Sequence, residues 1–384
     1  MQRVLIDSDS DVYCGPFTQR VGGPDSPCEV GLRRLRGGVS DGVEVLSIKT
    51  PRLKVEILPT RGMSVWRAEA DGIPLGWRSP LGRPVHPRHV STSEPGGLGF
   101  LDGPTELLFR CGLGNAGTPD FDERGRLRYP LHGRIANLPA DYLAVEADPE
   151  TRLTTVVGRV VERRFLRQKL ALTTRMTLPW DGAAFDIHDE VVNLSATPAT
   201  MQVIYHTNLG EPFLREGATI HAAAERVCPR DRTAADAGVE TWNRMPPADA
   251  SSWEQVFFVT ARPAPSGETR VVVAQPDGEA AVALSYNVDQ LPCFTLWRNT
   301  QASEDGYVVG IEPGTNFPNP FSFEEARERL VRLAPHGVWE TSLRLEGFAG
   351  RERVDEAIAA VRALQANRGA QLLKSPCPEW APAE

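Results

Sequence analysis

Short apolar runs, most of them alternating with polar positions and each closed by glycine, proline or another turn residue, recur along the chain. VEVLSI (43–48), LKVEIL (53–58), SVWRAE (64–69), TTVVGRVV (154–161), FDIHDEVVN (185–193) and TMQVIYH (200–206) read as strands. So do QVFFVT (255–260), TRVVVAQ (269–275), AVALSYN (281–287), CFTLWRN (293–299) and GYVVGIE (306–312). They are rich in β-branched residues, and several have the two-residue period of a half-buried strand. Many short strands between turn signals predict an all-β fold, a large antiparallel β-sandwich or barrel. One segment has a different period. RERVDEAIAAVRALQA (351–366) repeats apolar residues at Val354, Ala357, Ile358, Val361 and Leu364, with acids early, and predicts a helix packed on the outside of a sheet. Before it, ERLVRL (328–333), the turn APHG and VWETSLRLEGF (338–348) form a hairpin pattern. The Pro-rich tail KSPCPEWAPAE (374–384) is expected to be loosely held. No repeat or compositional break divides the chain, so residues 1–384 are read as one domain.

Composition narrows the function classes. The 384 residues are 41% hydrophobic and 24% charged, which suits a soluble globular protein with a large core. The net charge is −8 and no basic patch stands out, which argues against nucleic acid as a partner. Only four of the cationic residues are lysines, so arginine carries nearly all the positive charge, through genome bias or arginine-lined anion pockets. The polar start, MQRVLIDSDSDVYCG, has no apolar signal segment, and no run approaches the length of a membrane span. The six cysteines are scattered without a CxxC pair, so reduced thiols in the cytoplasm are the expectation rather than a disulfide framework or zinc knuckle.

Candidate chemistry gathers where strands run into polar turns. VIYHTNLGEPF places His206, Asn208 and Glu211 after an apolar strand, YPLHGRIANLPA places His132 before a glycine, and YVVGIEPGTNFPNP ends a strand on Glu312 with Asn316 beyond. A rigid strand opening into an accessible loop is a common setting for a site. A lone histidine there is still more often structural, and a Glu at a strand end can serve solubility alone. Arg61, in LPTRGMSVW, either decorates a hairpin turn or is buried against a carboxylate or ligand, because an unpaired buried arginine is costly. Cys111 has no neighbouring base and reads as a buried thiol. The Gly-rich stretch EPGGLGFLDG lacks both the GK[ST] of a P-loop and a following helix.

Taken in order, LPTRGMSVWRAEADGIPLGWRSP, LLFRCGLGNAG, LHGRIANLPA, YHTNLGEPF and GIEPGTNFPNP resemble the aldose 1-epimerase (galactose mutarotase) superfamily, especially its uncharacterised bacterial branch, over roughly residues 40–348. The resemblance implies a β-sandwich with a sugar site on its concave face. By it, His206 matches the general acid, Glu312 the general base and His132 a sugar-binding histidine. The HGR form at 132–134 is closer to the HGFAR of hexose-phosphate mutarotases than to the HGG of galactose mutarotases. The family's sugar-binding aspartate has no evident counterpart, and its NRI arginine motif is absent, leaving Arg61 or Arg134 as substitutes. Asn208 and Asn316 are candidates for binding or shaping the site, Trp297 for stacking on a sugar face or for core packing, and Arg298 for meeting an anionic group. The implied activity interconverts α and β anomers of a neutral or anionic aldose without metal or organic cofactor. Alternatives are epimerisation at another sugar carbon, a non-catalytic carbohydrate-binding protein, or a cation held by His132, His206, Glu211 and Glu312. The sugar and the oligomeric state stay open.

Overall fold

The computed structural model describes residues 1–24, 27–366 and 368–382. Among them, two large and mostly antiparallel sheets of ten and fourteen strands account for most of the fold, with only three short α-helices beside them, an all-β sandwich with peripheral helices. The smaller sheet shows the expected period: Leu153–Arg163 alternates buried and half-buried residues. Its apolar face supplies Val156, Val160, Leu172, Met176, Ile187 and Leu345 to a core shared with Leu46, Ile57, Val65, Tyr205 and Ile311 of the larger sheet.

The middle of the larger sheet loses that alternation. Leu108–Leu113, Ala199–Gly210 and Val308–Gly314 are buried along almost their whole lengths. One face of these strands meets the core and the other is covered by loops, so both sets of side chains leave solvent. A short run buried on both faces reads as continuously apolar, which is why the sequence pattern ends these strands too early. The strand through His206 continues to Gly210 and the one through Glu312 continues to Gly314. Both residues therefore stand within paired backbone rather than at strand mouths.

Three other expectations change. Val331–Leu333 and Val338–Ala349 are strands but not a hairpin pair: the first adds to Ala199–Gly210, and the second inserts between Ala184–Asn193 and Ala280–Asn287. Strands at Gln2–Asp7, Cys28–Arg34, Tyr142–Asp148 and Lys169–Pro179 were not anticipated. The tail is anchored rather than loose. Trp380 is buried against Phe317 with ring centroids 5.4 Å apart, its carbonyl accepts from Asn319 Nδ2 at 2.7 Å, and the Cys377 amide meets Cys228 Sγ at 3.1 Å. One large aromatic buries enough area to hold a short proline-rich segment.

The helix forms over Arg351–Gln365 and lies on the outer face of the smaller sheet. Val354, Ala357 and Val361 pack on Ala223, Val272, Ala274, Ala281, Ala283 and Phe348. The alanines let the helix approach closely, and each buried valine contributes roughly 1.5–3 kcal/mol.

Candidate active site

The floor of the site comes from four adjacent strands of the larger sheet, in the spatial order Cys293–Asn299, Val308–Gly314, Ala199–Gly210 and Leu108–Leu113. Pairing sets Thr295 opposite Glu312, Thr207 opposite Ile311 and His206 opposite Phe109. Successive side chains leave opposite faces of a strand. Phe109, His206, Asn208, Thr295, Trp297 and Glu312 therefore share the face away from the core, where they line one cavity of about 310 Å³. Trp77, Phe100 and Trp253 add aromatic walls, and His132, Arg230 and Glu254 complete the polar set.

His206 Nε2 lies 3.1 Å from Glu312 Oε1, and both side chains are almost fully buried. This buried His–Glu contact is the chemical centre of the cavity. Its distance suits an ion pair, yet its angles leave Oε1 without a hydrogen-bond partner, and His206 Nδ1 has none either. Buried polar atoms are normally satisfied, so two open ones side by side suit a ligand with hydroxyl groups. The imidazole is held by rings: Phe109 stacks on it at 4.7 Å, Trp297 meets it edge-on at 5.6 Å and His132 at 5.7 Å. Gly310 leaves the space the pair needs, since a Cβ there would sit 2.6 Å from Glu312 Oε1 and 3.1 Å from His206 Cε1.

Burial moves both groups toward their neutral forms. Desolvation, helped by the Glu254 charge and opposed by Arg230, holds the Glu312 carboxyl well above the usual carboxylate range. Desolvation, helped by His132 and opposed by a hydrogen bond with Asn208, holds the His206 imidazole well below its usual range. Both shifts favour the neutral pair, with a shared proton on Glu312 rather than on His206.

Sequence reasoning missed Glu254 and Arg230. Glu254 accepts from Trp297 Nε1 at 2.8 Å and pairs with Arg230 at 2.9 Å, while Arg230 also meets Asp231 at 2.7 Å. Glu254 thus puts an acidic side chain into the cavity at a place where the sequence offered no acid. Its only signal was position, next to Trp253 and one residue before the strand Gln255–Ala261.

The remaining candidates divide. His132, Asn208 and Trp297 join His206 and Glu312 in the cavity. His132 Nδ1 is tied to the Ala116 carbonyl at 3.0 Å, and Asn208 Nδ2 donates to the Glu106 carbonyl at 3.0 Å. Arg61 does not reach the cavity: it is buried against Glu106 and donates to the carbonyls of Val85 and Gly103 and to Asn137 Oδ1. Arg298 faces away, donating to Gln255 Oε1 and the carbonyls of Thr241 and Arg244, and burial lowers its pKa to about 10. Asn316 donates to the Phe317 carbonyl and accepts from Thr315, outside the cavity lining. Arg134 lines a separate groove. Glu211 accepts from Ser303 Oγ at 2.7 Å beyond the strand end, so the four-residue cation set does not converge. No group of three or more His, Cys, Asp or Glu side chains is arranged to hold a metal among the described residues.

A family profile described as a domain of unknown function, DUF4432, matches residues 40–346. The chain belongs to that family. A crystal structure from Klebsiella pneumoniae, of a protein named provisionally as an aldose 1-epimerase, superposes on this fold with a TM-score of 0.94 at 28% identity, covering 98% of both chains. The DUF4432 chain is thus a member of the aldose 1-epimerase/galactose mutarotase-like superfamily. A galactose mutarotase related enzyme from Lactobacillus acidophilus covers 80% of this chain and 99% of its own, with a TM-score of 0.55 at 12% identity. A galactose mutarotase-like protein from Clostridium acetobutylicum covers 87% and 99%, with a TM-score of 0.53, also at 12% identity. These two show the fold alone. No curated protein matches the sequence.

Proposed function

We propose that this DUF4432 protein is an aldose 1-epimerase-like isomerase that interconverts sugar anomers, with Glu312 and His206 moving the protons. The observation that carries the reading is the buried pair, 3.1 Å apart, with unsatisfied polar atoms, in an aromatic-lined cavity. Mutarotation requires one group to take the proton of the anomeric hydroxyl while another gives a proton to the ring oxygen. A pair holding one proton can do both. Transfer of the shared proton from Glu312 to His206 forms the reactive ion pair; Glu312 then accepts from the anomeric hydroxyl as His206 donates to the ring oxygen, and the C1–O5 bond breaks. The open aldehyde then faces a protonated Glu312 and a neutral imidazole, the form that burial favours. Rotation about C1–C2 and the reverse transfers close the ring on the other face, and the proton returns to His206. No proton enters or leaves over the cycle.

His132, Asn208 and Glu254 are placed to meet sugar hydroxyls, and Trp297 to pack on a ring face. Arg230, the one guanidinium lining the cavity among the described residues, is already matched by Glu254 and Asp231, and Arg61, Arg134 and Arg298 point elsewhere. That arrangement favours a neutral aldose over a phosphorylated or acidic one.

The test is NMR exchange spectroscopy on purified protein with neutral, phosphorylated and acidic aldoses. We expect α-to-β exchange of at least one neutral aldose well above its spontaneous rate. If no aldose exchanges faster while NMR titration shows a sugar binding, the chain is a carbohydrate-binding protein or acts at another carbon.

A further inference from the structure

The arginine of the HGR segment is not used by the sugar cavity, and the place it goes is itself organised. Gly133 has a φ of +69°, and a Cβ there would lie 2.2 Å from the Asn115 carbonyl oxygen and 2.3 Å from that of Gly112. Only glycine makes this turn. The turn sends His132 into the sugar cavity and Arg134 into a separate groove of about 630 Å³.

Five arginines line that groove on a chain whose net charge is −8. Arg126 pairs with Asp122 at 2.7 Å, and Arg128 lies 3.8 Å from Asp120. Arg134, Arg164 and Arg167 have no ion pair and no side-chain hydrogen bond among the described residues. Glu162 lies within electrostatic reach of Arg134 and Arg164, and its Oε2 also accepts from the Leu113 amide at 2.9 Å. Burial also pushes its pKa up. Glu162 is still a single carboxylate beside three guanidiniums, so it does not balance them. Guanidiniums in excess of carboxylates on a shared groove repel one another, and an oxyanion relieves that repulsion. The planar guanidinium fork fits two oxygens of a phosphate at once.

From this geometry we infer that the groove is a second ligand site, for a phosphate-bearing anion, separate from the sugar cavity. The adjoining hairpin tip exposes Phe165 at 88% and Leu166 at 83% of their surfaces, so the phosphate is carried either by a free small molecule or by a lipid headgroup beside which the tip can bury.

The test is isothermal titration of the whole protein with sodium pyrophosphate at low salt, beside sedimentation with phosphatidylglycerol vesicles. Neither readout depends on sugar turnover, so its failure and the failure of the isomerase reading are distinguishable. Expected is saturable pyrophosphate binding that weakens roughly tenfold or more in an Arg164→Ala/Arg167→Ala double variant with unchanged thermal unfolding. Vesicle binding that is lost in the same variant, without pyrophosphate binding, keeps the site and assigns the phosphate to lipid. Absence of both, or binding that the double variant leaves intact, overturns the proposal.

Discussion

Tyr205 and His206 are consecutive residues of one strand, and they open onto two differently built regions. Tyr205 faces the core. There Asp189, from the opposite sheet, accepts from Tyr205 Oη at 2.7 Å, from Arg110 Nη2 at 2.9 Å, from Arg110 Nε and from Thr174 Oγ1 at 2.7 Å. Every oxygen lone pair has a donor, and the cluster ties one sheet to the other. His206 faces the cavity, where its Nδ1 and Glu312 Oε1 are just as buried and have no hydrogen-bond partner. Burial is the same on both sides; satisfaction differs. The saturated cluster has nothing left to offer a ligand, whereas the open pair retains its hydrogen-bonding capacity for one.

The largest expected effect breaks the open side. Glu312→Gln keeps the shape and removes the proton carrier, so anomer exchange should fall about 10²–10⁴-fold. Folding should survive. The folded-state pKa of Glu312 is raised, so the stability its protonated form contributes is present at low pH and is lost as pH rises through that raised value. Thermal melts should therefore favour Glu312→Gln over the parent on the alkaline side. Wild-type exchange rates in this variant would end the proton-transfer assignment.

Next in size is the closed side. Arg110→Met leaves Asp189 buried without its cation, which should cost about 3–5 kcal/mol in urea unfolding. Adding Asp189→Asn removes the stranded charge and should recover much of the loss, because replacing a whole buried pair is often nearly neutral. A single variant that loses under about 1 kcal/mol would mean that the cluster is not the clamp between sheets.

The contrast between the faces also explains what could be read from the sequence. Strands exposed on one face, such as Lys169–Pro179 and Leu153–Arg163, carry an alternating pattern, although the first was overlooked. The central strands bury both faces, so alternation is lost, and the sequence pattern puts His206 and Glu312 at strand exits. The pair was nominated through the order of motifs, which survives such boundary errors. Charged residues were harder. Arg61, Arg110 and Arg298 are all buried, and only the identity of the partner (Glu106, Asp189 or Gln255) separates structural use from ligand binding. Those partners lie 43 to 79 residues away in the chain. Glu254 and Gly310 were missed for a related reason: a register between strands brings each beside the pair, and nothing local marks them.

The smallest effect sharpens the difference in proton chemistry. The proposed exchange needs the His206–Glu312 pair to hold one proton. An ordinary Glu and His do so only between about pH 4.3 and 6.5, as an ion pair. In the cavity burial raises the Glu312 pKa and lowers that of His206, which works against that order. The acid limit is the uptake of a second proton by His206, whose pKa is lowered, and the alkaline limit is loss of the last proton from Glu312, whose pKa is raised. Exchange rates should therefore hold to higher pH than in a pair whose alkaline limit is an ordinary histidine. Glu254 supplies part of the upward push on Glu312 and Arg230 opposes it. Glu254→Gln should accordingly move the alkaline fall of kcat/KM to lower pH. Glu254 also holds Trp297, so that variant should raise KM as well, but a KM change alone cannot move the pH of the fall. A pH profile that keeps its alkaline limb in place would assign Glu254 to positioning Trp297 and leave burial as the cause of the raised Glu312 pKa.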